Sequence, residues 1–529
     1  MKRQIILSTE NEYDAMFKLL KEGDEDRIME HLRGASEGDK HLEEYLDWMY
    51  RIRKHPSKDS REEQRYTLLN LLMHLLMVEV GKNGLVTPLS ADFRYNIWGY
   101  NGFRFYIDHY HPEYSAPECS SVRDLLRHNL AGDSIMEAAR DALAKRFELY
   151  DDIVVMKNNT DGKGNSYGAH ENFMISPNLY YLLTRARTNR EQSLWMAFLI
   201  ARQIIAGAGK VGCERQGCSA PGRFEIAQRS DFIYTTHSLD TMQNRPIINT
   251  RNEPHADGEE SRRLHVIIGD ANRSQWSNYL KFGTALMVLQ MLEEGFIKED
   301  IVVEDPVTAT HEISCDLSVK KPVIHLAGRS ACSALDLMEF FHGKMQAFLP
   351  RCEGACREEF SDIVDKCGFV LSSFKEDKHK DLAQYLDWPA KFVICENRAL
   401  KKKIAWDHHD IRMTDFQYHY LNPKRDLFSS YKKIMGMQDI VSEQEIAEAL
   451  SVPPLTRAFI RGTFLKYLSK GVTEMDWTMV AIRGKAIGDN RKIFSETVYR
   501  LPDPAYPSTA EEAVLEESRI KSFAAALGQ

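Results

Sequence analysis

A short stretch in which apolar and polar residues strictly alternate limits most strongly how this chain can fold. It runs from 103 to 108, and such alternation is typical of a β-strand that is buried on one face. Its apolar face carries Phe103, Phe105 and Ile107, and its opposite face carries Arg104, Tyr106 and Asp108. The aromatic face predicts a core on one side of a sheet, which leaves Asp108 and its neighbours to line the other side.

The residues that follow this strand are rich in carboxylates and imidazoles. His109, His111, Glu113 and Glu118 lie within ten residues of one another, around two prolines. Oxygen ligands with a few histidines suit Mg²⁺ or Mn²⁺, particularly when phosphates complete the coordination shell. A single histidine more often makes a structural hydrogen bond, so the pattern indicates a metal site only as a group.

A second acidic pair lies near the start of the chain. Residues two apart on a strand point to the same face, so Glu10 and Glu12 are predicted to lie side by side. Like charges in this arrangement repel each other unless a cation compensates them. One interpretation is a bound divalent cation, and the other is two solvent-facing side chains near a chain end.

A polar loop precedes a further histidine. The segment 157–167 is built from Asn, Asp, Gly and Ser, includes Asn158 and Asn159, and is followed by His170. Such a loop offers small residues and amide donors to a phosphate, although no GxxxxGK[ST] motif occurs in the chain.

A later strand combines arginine and histidine. Arg263 and His265 share one face of the strand predicted over 264–268, and Arg251 precedes them in the chain. Arginine suits the recognition of phosphate or carboxylate because its guanidinium group binds two oxygens at once.

Composition argues against several classes of protein. The net charge of −8 gives no electrostatic case for nucleic acid, because duplex-binding proteins normally carry a basic surplus. The most apolar window, 68–80, is too short to span a bilayer, and the first residues lack the apolar core of a signal peptide. Nine cysteines without a CxxC motif predict unpaired thiols in a reducing compartment. We therefore expect a cytoplasmic protein that binds neither nucleic acid nor a membrane.

The order of the predicted elements indicates an α+β fold with a large antiparallel-rich sheet. We expect a catalytic domain over 1–430 with a helical and loop insertion at about 14–100, a small domain over 431–502 and a tail over 503–529. A charged stretch within the insertion, 52–65, has no apolar period and is predicted to be an exposed, mobile loop.

Four long motifs carry a resemblance to a known family. They read NGFRFYIDHYHPEYSAPE, KNNTDGKGNSYGAHEN, RPIINTRNEPHAD and RRLHVIIGDAN, in this order along the chain. Together they resemble the Pup ligase and depupylase family, enzymes that attach or remove the prokaryotic ubiquitin-like modifier Pup. That family belongs to the glutamine-synthetase-like carboxylate–amine ligases. The resemblance implies a curved antiparallel sheet with outer helices and a small C-terminal domain.

The resemblance also implies roles for individual residues. In the family, magnesium is held by the ExE strand, a glutamate of the HPEY segment and the histidines of HEN and RLHV. The matching positions here are Glu10, Glu12, Glu113, His170 and His265. Asp108 matches the family's catalytic aspartate. ATP lies on the family's sheet with its phosphates over the metals, which would place Arg251 and Arg263 near a phosphate or a substrate carboxylate.

The two branches of the family carry out opposite reactions. The ligase phosphorylates the modifier's C-terminal glutamate and passes it to a substrate lysine. The depupylase keeps ATP, or ADP with phosphate, as a cofactor, cleaves that isopeptide bond and deamidates a modifier that ends in glutamine. The DHYHPEY run, the GAGKVG and RFEIAQRSDF segments and the long insertion resemble the depupylase. We therefore expect a depupylase whose partners are a Pup-like modifier and pupylated proteins.

Three other functions remain compatible with the pattern. The first is an ATP-dependent Pup ligase, and the second is a small-molecule carboxylate–amine ligase that acts on free glutamate. The third is an inactive protein that sequesters a modifier, although the presence of every acidic and histidine ligand argues against it. The sequence leaves open whether Asp108 attacks the glutamyl carbonyl or activates a water molecule.

Overall fold

The computed structural model describes most of the chain. The described residues are 5–18, 23–34, 42–44, 46–47, 60–82, 86–87, 96–185, 188–218, 220, 222–422, 424–468, 471–486 and 494–527. Within them the fold is α+β, as the sequence predicts. None of the helices in these ranges is long and apolar enough to cross a membrane.

A seven-stranded antiparallel sheet forms the centre of the fold. Within the described residues the strands are β1 Ile6–Glu12, β2 Asp14–Phe17, β3 Val86–Thr87, β4 Asn96–Gly99, β5 Arg104–Asp108, β6 His111–Ser115, β7 Ile153–Met156, β8 Ala169–Ile175, β9 Lys210–Val211, β10 Phe224–Glu225, β11 Thr235–Ser238, β12 Pro246–Asn249, β13 Arg262–Val266, β14 Val472–Met475, β15 Met479–Ala486 and β16 Phe494–Arg500. In the main sheet they follow the order β13-β8-β1-β6-β5-β4-β3.

Helices supply most of the remaining structure. Their bounds are Asp24–Gly34, Ser60–Lys82, Val122–Arg146, Pro177–Thr184, Arg190–Ala201, Gln203–Ala206, Gln275–Glu293, Pro306–Cys315, Ala334–Phe348, Gly354–Lys375, Asp387–Lys402, His409–Tyr418, Leu427–Met435, Glu443–Ala449, Arg457–Leu468 and Ala510–Leu527. The helix predicted over 122–147 is confirmed almost to the residue, and the Ser121 side chain caps its first turn.

The apolar side of the main sheet packs against helix Val122–Arg146. Phe103, Phe105 and Tyr114 are fully buried there, with neighbouring ring centroids between 5.4 and 6.3 Å apart. Gly132 lets the helix approach closely, because a Cβ atom at this position would lie 2.4 Å from the Tyr114 ring. The predicted alternation thus orients β5, with its aromatic residues in the core.

The C-terminal part of the chain has a hydrophobic cluster of its own. It contains Ile460, Phe464, Val480 and Ile520, and it also includes Trp98 from β4 of the main sheet. Helix Leu427–Met435 packs elsewhere, through a cluster with residues 383–418. The limits predicted at 431 and 503 remain predictions.

A buried ion-pair group, which we call the junction triad, ties this part to the main sheet. Glu118 accepts hydrogen bonds from Arg457 Nε at 2.6 Å and from Arg461 Nη1 at 3.0 Å. Burial alone would raise the pKa of Glu118, but the two guanidinium groups lower it to about 2. The sequence grouped Glu118 with the metal-binding residues, and the structure corrects this because Arg457 and Arg461 already neutralise its charge.

The predicted insertion is less separate than we expected. β2 pairs with β7, and β3 and β4 extend the main sheet. Strands of two to four residues are too short to show alternation, so the sequence pattern does not reveal them. The loop predicted over 52–65 is wrong at its end, because residues 60–65 are helical and SREEQR contains strong helix formers. Residues 52–59 lie outside the described residues.

The structure also corrects the prediction that all cysteines are unpaired. Cys213 and Cys218 form a disulfide, and their Cα atoms are 6.1 Å apart, within the usual range. The other seven cysteines, all within the described residues, form no disulfide. The pairing depends on how the chain turns between β9 and β10, which the spacing of the cysteines does not reveal.

Candidate active site

A cleft of about 1090 Å³ lies on the polar side of the main sheet. Antiparallel pairing brings its residues together from distant parts of the chain, since Glu10 lies opposite His170 and Glu12 lies opposite Glu113. Eight of the ten predicted site residues line the cleft: Glu10, Glu12, Asp108, Glu113, His170, Arg251, Arg263 and His265.

One end of the cleft holds what we call the histidine cluster, made of Glu10, His170 and His265. Their ligand atoms all lie within 4.8 Å of one another. Glu10 Oε2 is 3.4 Å from His170 Nδ1, and the two imidazole rings meet edge to face with centroids 4.8 Å apart. The His265 ring is held in place by Asn172, whose Oδ1 lies 3.0 Å from His265 Nδ1.

Positive charge stabilises the carboxylate of this cluster. Burial would raise the pKa of Glu10, but the hydrogen bond with His170 and the charge of Arg263 hold it well below its usual range. Burial and the nearby Arg263 lower the pKa of His265 well below its usual range. At neutral pH Glu10 is therefore ionised and His265 is neutral, the protonation states in which both can bind a metal ion.

The other group in the cleft is what we call the carboxylate cluster, made of Glu12, Asp108 and Glu113. Its three ligand oxygens also lie within 4.8 Å of one another. Within the described residues, no lysine or arginine forms an ion pair with any of the three. Burial and the neighbouring charges of Glu10 and Glu12 raise the pKa of Glu113 well above its ordinary value, and the Tyr106 hydroxyl donates a hydrogen bond to it. Among the described residues the cluster is therefore left without a directly paired lysine or arginine, and only the more distant charges of Arg229 and Arg245 act on Glu12.

Asp108 ends β5 at the open side of the carboxylate cluster. Its side chain is 42% exposed, so water and a substrate can reach it. Asp108 Oδ1 lies 3.1 Å from Nδ1 of His109, and the backbone of His109 is left-handed, with a φ of 53°. This conformation is uncommon for a residue other than glycine and occurs here in the tight turn between β5 and β6.

Arginines also line the cleft. Arg263 is buried and donates to Glu253 Oε2 at 2.8 Å, whereas Arg251 is half-exposed. Arg229 and Arg245 also face the cleft, and the sequence reasoning missed both. Burial and the charge of Arg245 lower the pKa of Arg229 to about 9. Both guanidinium groups also donate to backbone oxygens, Arg229 to Ile267 O at 3.0 Å and Arg245 to Ser166 O at 2.7 Å.

Asn158 and Asn159 are the predicted site residues that the structure does not bring to the cleft. Asn158 donates to Thr160 O and accepts from the Tyr167 hydroxyl, at 2.7 and 2.9 Å. Asn159 donates to Tyr167 O and accepts from Ala271 N, at 3.0 and 2.6 Å. Their side-chain amides hold the loop 158–168 in place by hydrogen bonds. The loop itself lines the cleft with Asp161 and with the residues Gly164–Gly168.

Comparison with known proteins identifies the relatives of this chain. The profile of the family described as Pup-ligase protein matches residues 5–481. The chain therefore belongs to the Pup ligase and depupylase family. It is 36% identical to a Pup–protein ligase of Acidimicrobium ferrooxidans over 399 residues, which cover 74% of this chain and 84% of that protein. It is also 36% identical to a Pup deamidase/depupylase of Mycolicibacterium smegmatis over 386 residues, 72% of this chain and 74% of the relative.

Solved structures of the family share the fold. The ligase PafA in complex with Pup superposes with a TM-score of 0.72 at 24% identity, over 99% of this chain and 94% of that one. PafA in complex with ADP superposes with a TM-score of 0.69 at 29% identity, over 81% of this chain and 90% of that one. The expected α+β fold and the family resemblance are thereby confirmed, and the chain belongs to a family of enzymes. The equal identities do not separate the ligase branch from the depupylase branch.

The two clusters fit a pair of divalent cations of the kind the family resemblance implies. Carboxylate oxygens dominate the donor set, with two imidazoles, which suits Mg²⁺ or Mn²⁺. The fit is strongest at the carboxylate cluster, where three like charges meet and no lysine or arginine of the described residues forms an ion pair with them.

Proposed function

We propose that this protein is a depupylase. It would hydrolyse the isopeptide bond between the C-terminal glutamate of a Pup-like modifier and a substrate lysine, and deamidate a modifier that ends in glutamine. The observation that carries the proposal is the position of Asp108, which is open to solvent, contacts His109 and adjoins the carboxylate cluster. The DHYHPEY run that contains both residues resembles the depupylase branch.

The cofactor in this proposal is ATP, or ADP with phosphate, together with Mg²⁺. Glu10, Glu12, Glu113, His170 and His265 would hold the metal ions, which supply charge compensation for the phosphates and for the reacting carbonyl. The guanidinium groups of Arg251 and Arg263, joined by Arg229 and Arg245, would bind phosphate oxygens. The ADP complex of the related ligase supports a nucleotide in this cleft.

Asp108 is the residue to which we assign catalysis. Its carboxylate either attacks the glutamyl carbonyl or takes a proton from an attacking water molecule, and the exposed side chain leaves room for both. The arginines that line the cleft would offset negative charge that develops on the carbonyl oxygen. In both routes the C–N isopeptide bond breaks and the lysine amine leaves with a proton from water. Where Asp108 has attacked, a water molecule then hydrolyses the anhydride between Asp108 and the modifier, and in either case the modifier is released with a free glutamate.

The partners in this proposal are a Pup-like modifier and proteins that carry it. The support is the match to the complex of Pup with its ligase, which extends over nearly the whole chain. Residues on the rim of the cleft, such as Tyr234 and Met242, are exposed apolar side chains that a modifier could cover.

The Asp108→Asn variant tests the assignment. We expect release of a conjugated lysine protein to fall by at least about a thousandfold, the scale of a lost catalytic acid–base group, with modifier binding retained. Gel separation of conjugate and free protein measures release, and fluorescence anisotropy of labelled modifier measures binding. The matched control is Asp365→Asn, an exposed aspartate on helix Gly354–Lys375, which should cleave at the wild-type rate. Cleavage by Asp108→Asn at that rate would remove Asp108 from catalysis.

The ligase of the same family is the second candidate, favoured by the equal identity to a Pup–protein ligase. The protein would be incubated with ATP, a modifier that ends in glutamate and a lysine-bearing protein. A depupylase gives no conjugate in this mixture and releases protein from a preformed conjugate. Formation of conjugate with consumption of ATP would replace our proposal by the ligase.

A further inference from the structure

The disulfide between Cys213 and Cys218 closes a short loop beside the cleft. The loop lies between β9 and β10, and both cysteines are partly exposed. Gln216, at its centre, lines the cleft itself. A redox-active reagent can therefore reach the bond, and a change in the loop is transmitted directly to the cleft.

Glu214, inside this loop, holds the neighbouring loop 158–168. Both of its carboxylate oxygens lie 2.8 Å from Thr160 Oγ1, and Oε1 accepts a hydrogen bond from Gly164 N at 3.0 Å. The residues around Gly164 form part of the cleft wall on which we propose that the nucleotide lies. Glu214 is thus the link between the disulfide loop and the cleft.

The base of the disulfide loop has anchors that do not depend on the disulfide. Asp231 is buried, pairs with the Lys210 ammonium group and accepts a hydrogen bond from Glu214 N at 2.7 Å. Lys210 Nζ also lies 3.4 Å from Glu214 Oε2, and Arg215 Nη1 lies 3.8 Å from Asp231 Oδ1. Beyond Arg215, the described backbone groups of the tip at 216–218 make one hydrogen bond, from Cys218 N to Arg215 O. Opening the disulfide therefore removes the covalent restraint on Cys213, the residue before Glu214. The tip and the position of Glu214 are then held only by these non-covalent contacts, while β9 and β10 stay in place.

We propose that Cys213 and Cys218 are a reversible dithiol–disulfide pair that controls the order of the cleft loop 158–168 through Glu214. In the reducing direction, a thiolate of a dithiol reductant attacks one sulfur of the pair and forms a mixed disulfide. The second thiol of the reductant then displaces the protein sulfur. Two electrons and two protons reach Cys213 and Cys218, and the reductant leaves as a cyclic disulfide.

The redox control of loop order is independent of what the protein catalyses. Its consequence for nucleotide binding rests on the proposed function, since only then does the loop 158–168 contact a nucleotide. The two parts need separate measurements.

The full-length protein would be equilibrated in buffers of reduced and oxidised dithiothreitol. Alkylation followed by mass spectrometry gives the fraction of Cys213–Cys218 that is bonded, and hydrogen exchange gives the protection of the loop 158–168. We expect the loop to exchange about tenfold faster on reduction, as for the loss of one charge-assisted hydrogen bond. Unchanged exchange between samples of verified redox state would overturn the proposal, as would thiols that stay free in every buffer.

Three variants separate the steps. Glu214→Ala keeps the disulfide but should exchange like the reduced protein in all buffers, because the link to Thr160 and Gly164 is gone. Cys213→Ser with Cys218→Ser should do the same. Cys356→Ser, which removes the exposed free thiol, should keep the full redox response. A response that persists in the Cys213 and Cys218 double variant would assign the effect to another cysteine and overturn the proposal.

Calorimetry with ADP and Mg²⁺ then tests the consequence for the cleft. We expect binding about tenfold weaker in the reduced protein, matching the change in loop protection. If ADP binds in neither redox state, the proposed function fails while the exchange result still decides the redox inference. Equal affinity for ADP in the reduced and oxidised protein would show that the disulfide controls the order of the loop but not nucleotide binding.

Discussion

Two buried glutamates five residues apart have opposite electrostatic surroundings. Glu118 belongs to the junction triad, where two arginines lower its pKa to about 2. Glu113 belongs to the carboxylate cluster, where burial and neighbouring carboxylates raise its pKa well above the ordinary value. Both are almost fully buried, at 4% and 2% exposure.

The difference separates a structural charge from a functional one. In the junction triad, the cost of removing a carboxylate from water is offset by arginines within the same chain. In the carboxylate cluster, a bound cation would have to offset that cost. Buried groups with strongly perturbed pKa values are concentrated at functional sites. The comparison predicts that the two glutamates respond in opposite ways to substitution, pH and ligand.

The largest effect is expected at the junction triad. Glu118→Gln leaves Arg457 and Arg461 buried without a counter-charge, so we expect the free energy of unfolding to fall by about 3–5 kcal/mol. Urea denaturation followed by circular dichroism measures it, with exposed Glu358→Gln as the control. A loss within the error of the control would mean that solvent already screens the triad.

The pH dependence of stability tests the same glutamate without a substitution. The folded pKa of Glu118 is lowered from 4.5 to about 2, so its stabilisation is present above pH 4.5 and is lost as the pH falls toward 2. We expect the wild type to lose about 3 kcal/mol more than Glu118→Gln over this range. Parallel curves for the two proteins would contradict the lowered pKa.

The stabilisation of the protein by a bound ligand should depend on the carboxylate cluster and not on the junction triad. Mg²⁺ with ADP at a hundred times the dissociation constant should stabilise the wild type by about 2.7 kcal/mol. Glu113→Gln should lose most of this shift, whereas Glu118→Gln should keep it from its lower starting point. Thermal denaturation with and without ligand measures each shift. An equal shift in Glu113→Gln would remove Glu113 from the metal site.

The smallest effect is expected for Glu113 in the protein without metal or nucleotide. There its contribution to stability should change with pH in the opposite direction to that of Glu118. The folded pKa of Glu113 is raised, so the unfolded chain ionises first and the folded state loses stability as the pH rises above 4.5. Without metal or nucleotide, Glu113→Gln should therefore be more stable than the wild type at pH 7, by about 1–2 kcal/mol. The gain should vanish at pH 4. A loss of stability at pH 7 would show that Glu113 is paired after all.

The sequence determined which residues share a face of each strand, because side-chain direction alternates strictly along the backbone. That periodicity placed Glu10 with Glu12 and Asp108 opposite the aromatic core, and the ordered motifs identified the family that the comparisons confirm. The helix over 122–147 also followed from local spacing.

Only the tertiary structure decided which charges meet. Glu113 and Glu118 look alike in HPEYSAPE, and their difference arises from Arg457 and Arg461, more than 330 residues further along the chain. Arg229, Arg245 and the Cys213–Cys218 pair likewise acquire their surroundings from strand pairing and loop packing. Local periodicity fixes the direction of a side chain, whereas its electrostatic partner depends on contacts between distant segments that no local pattern encodes.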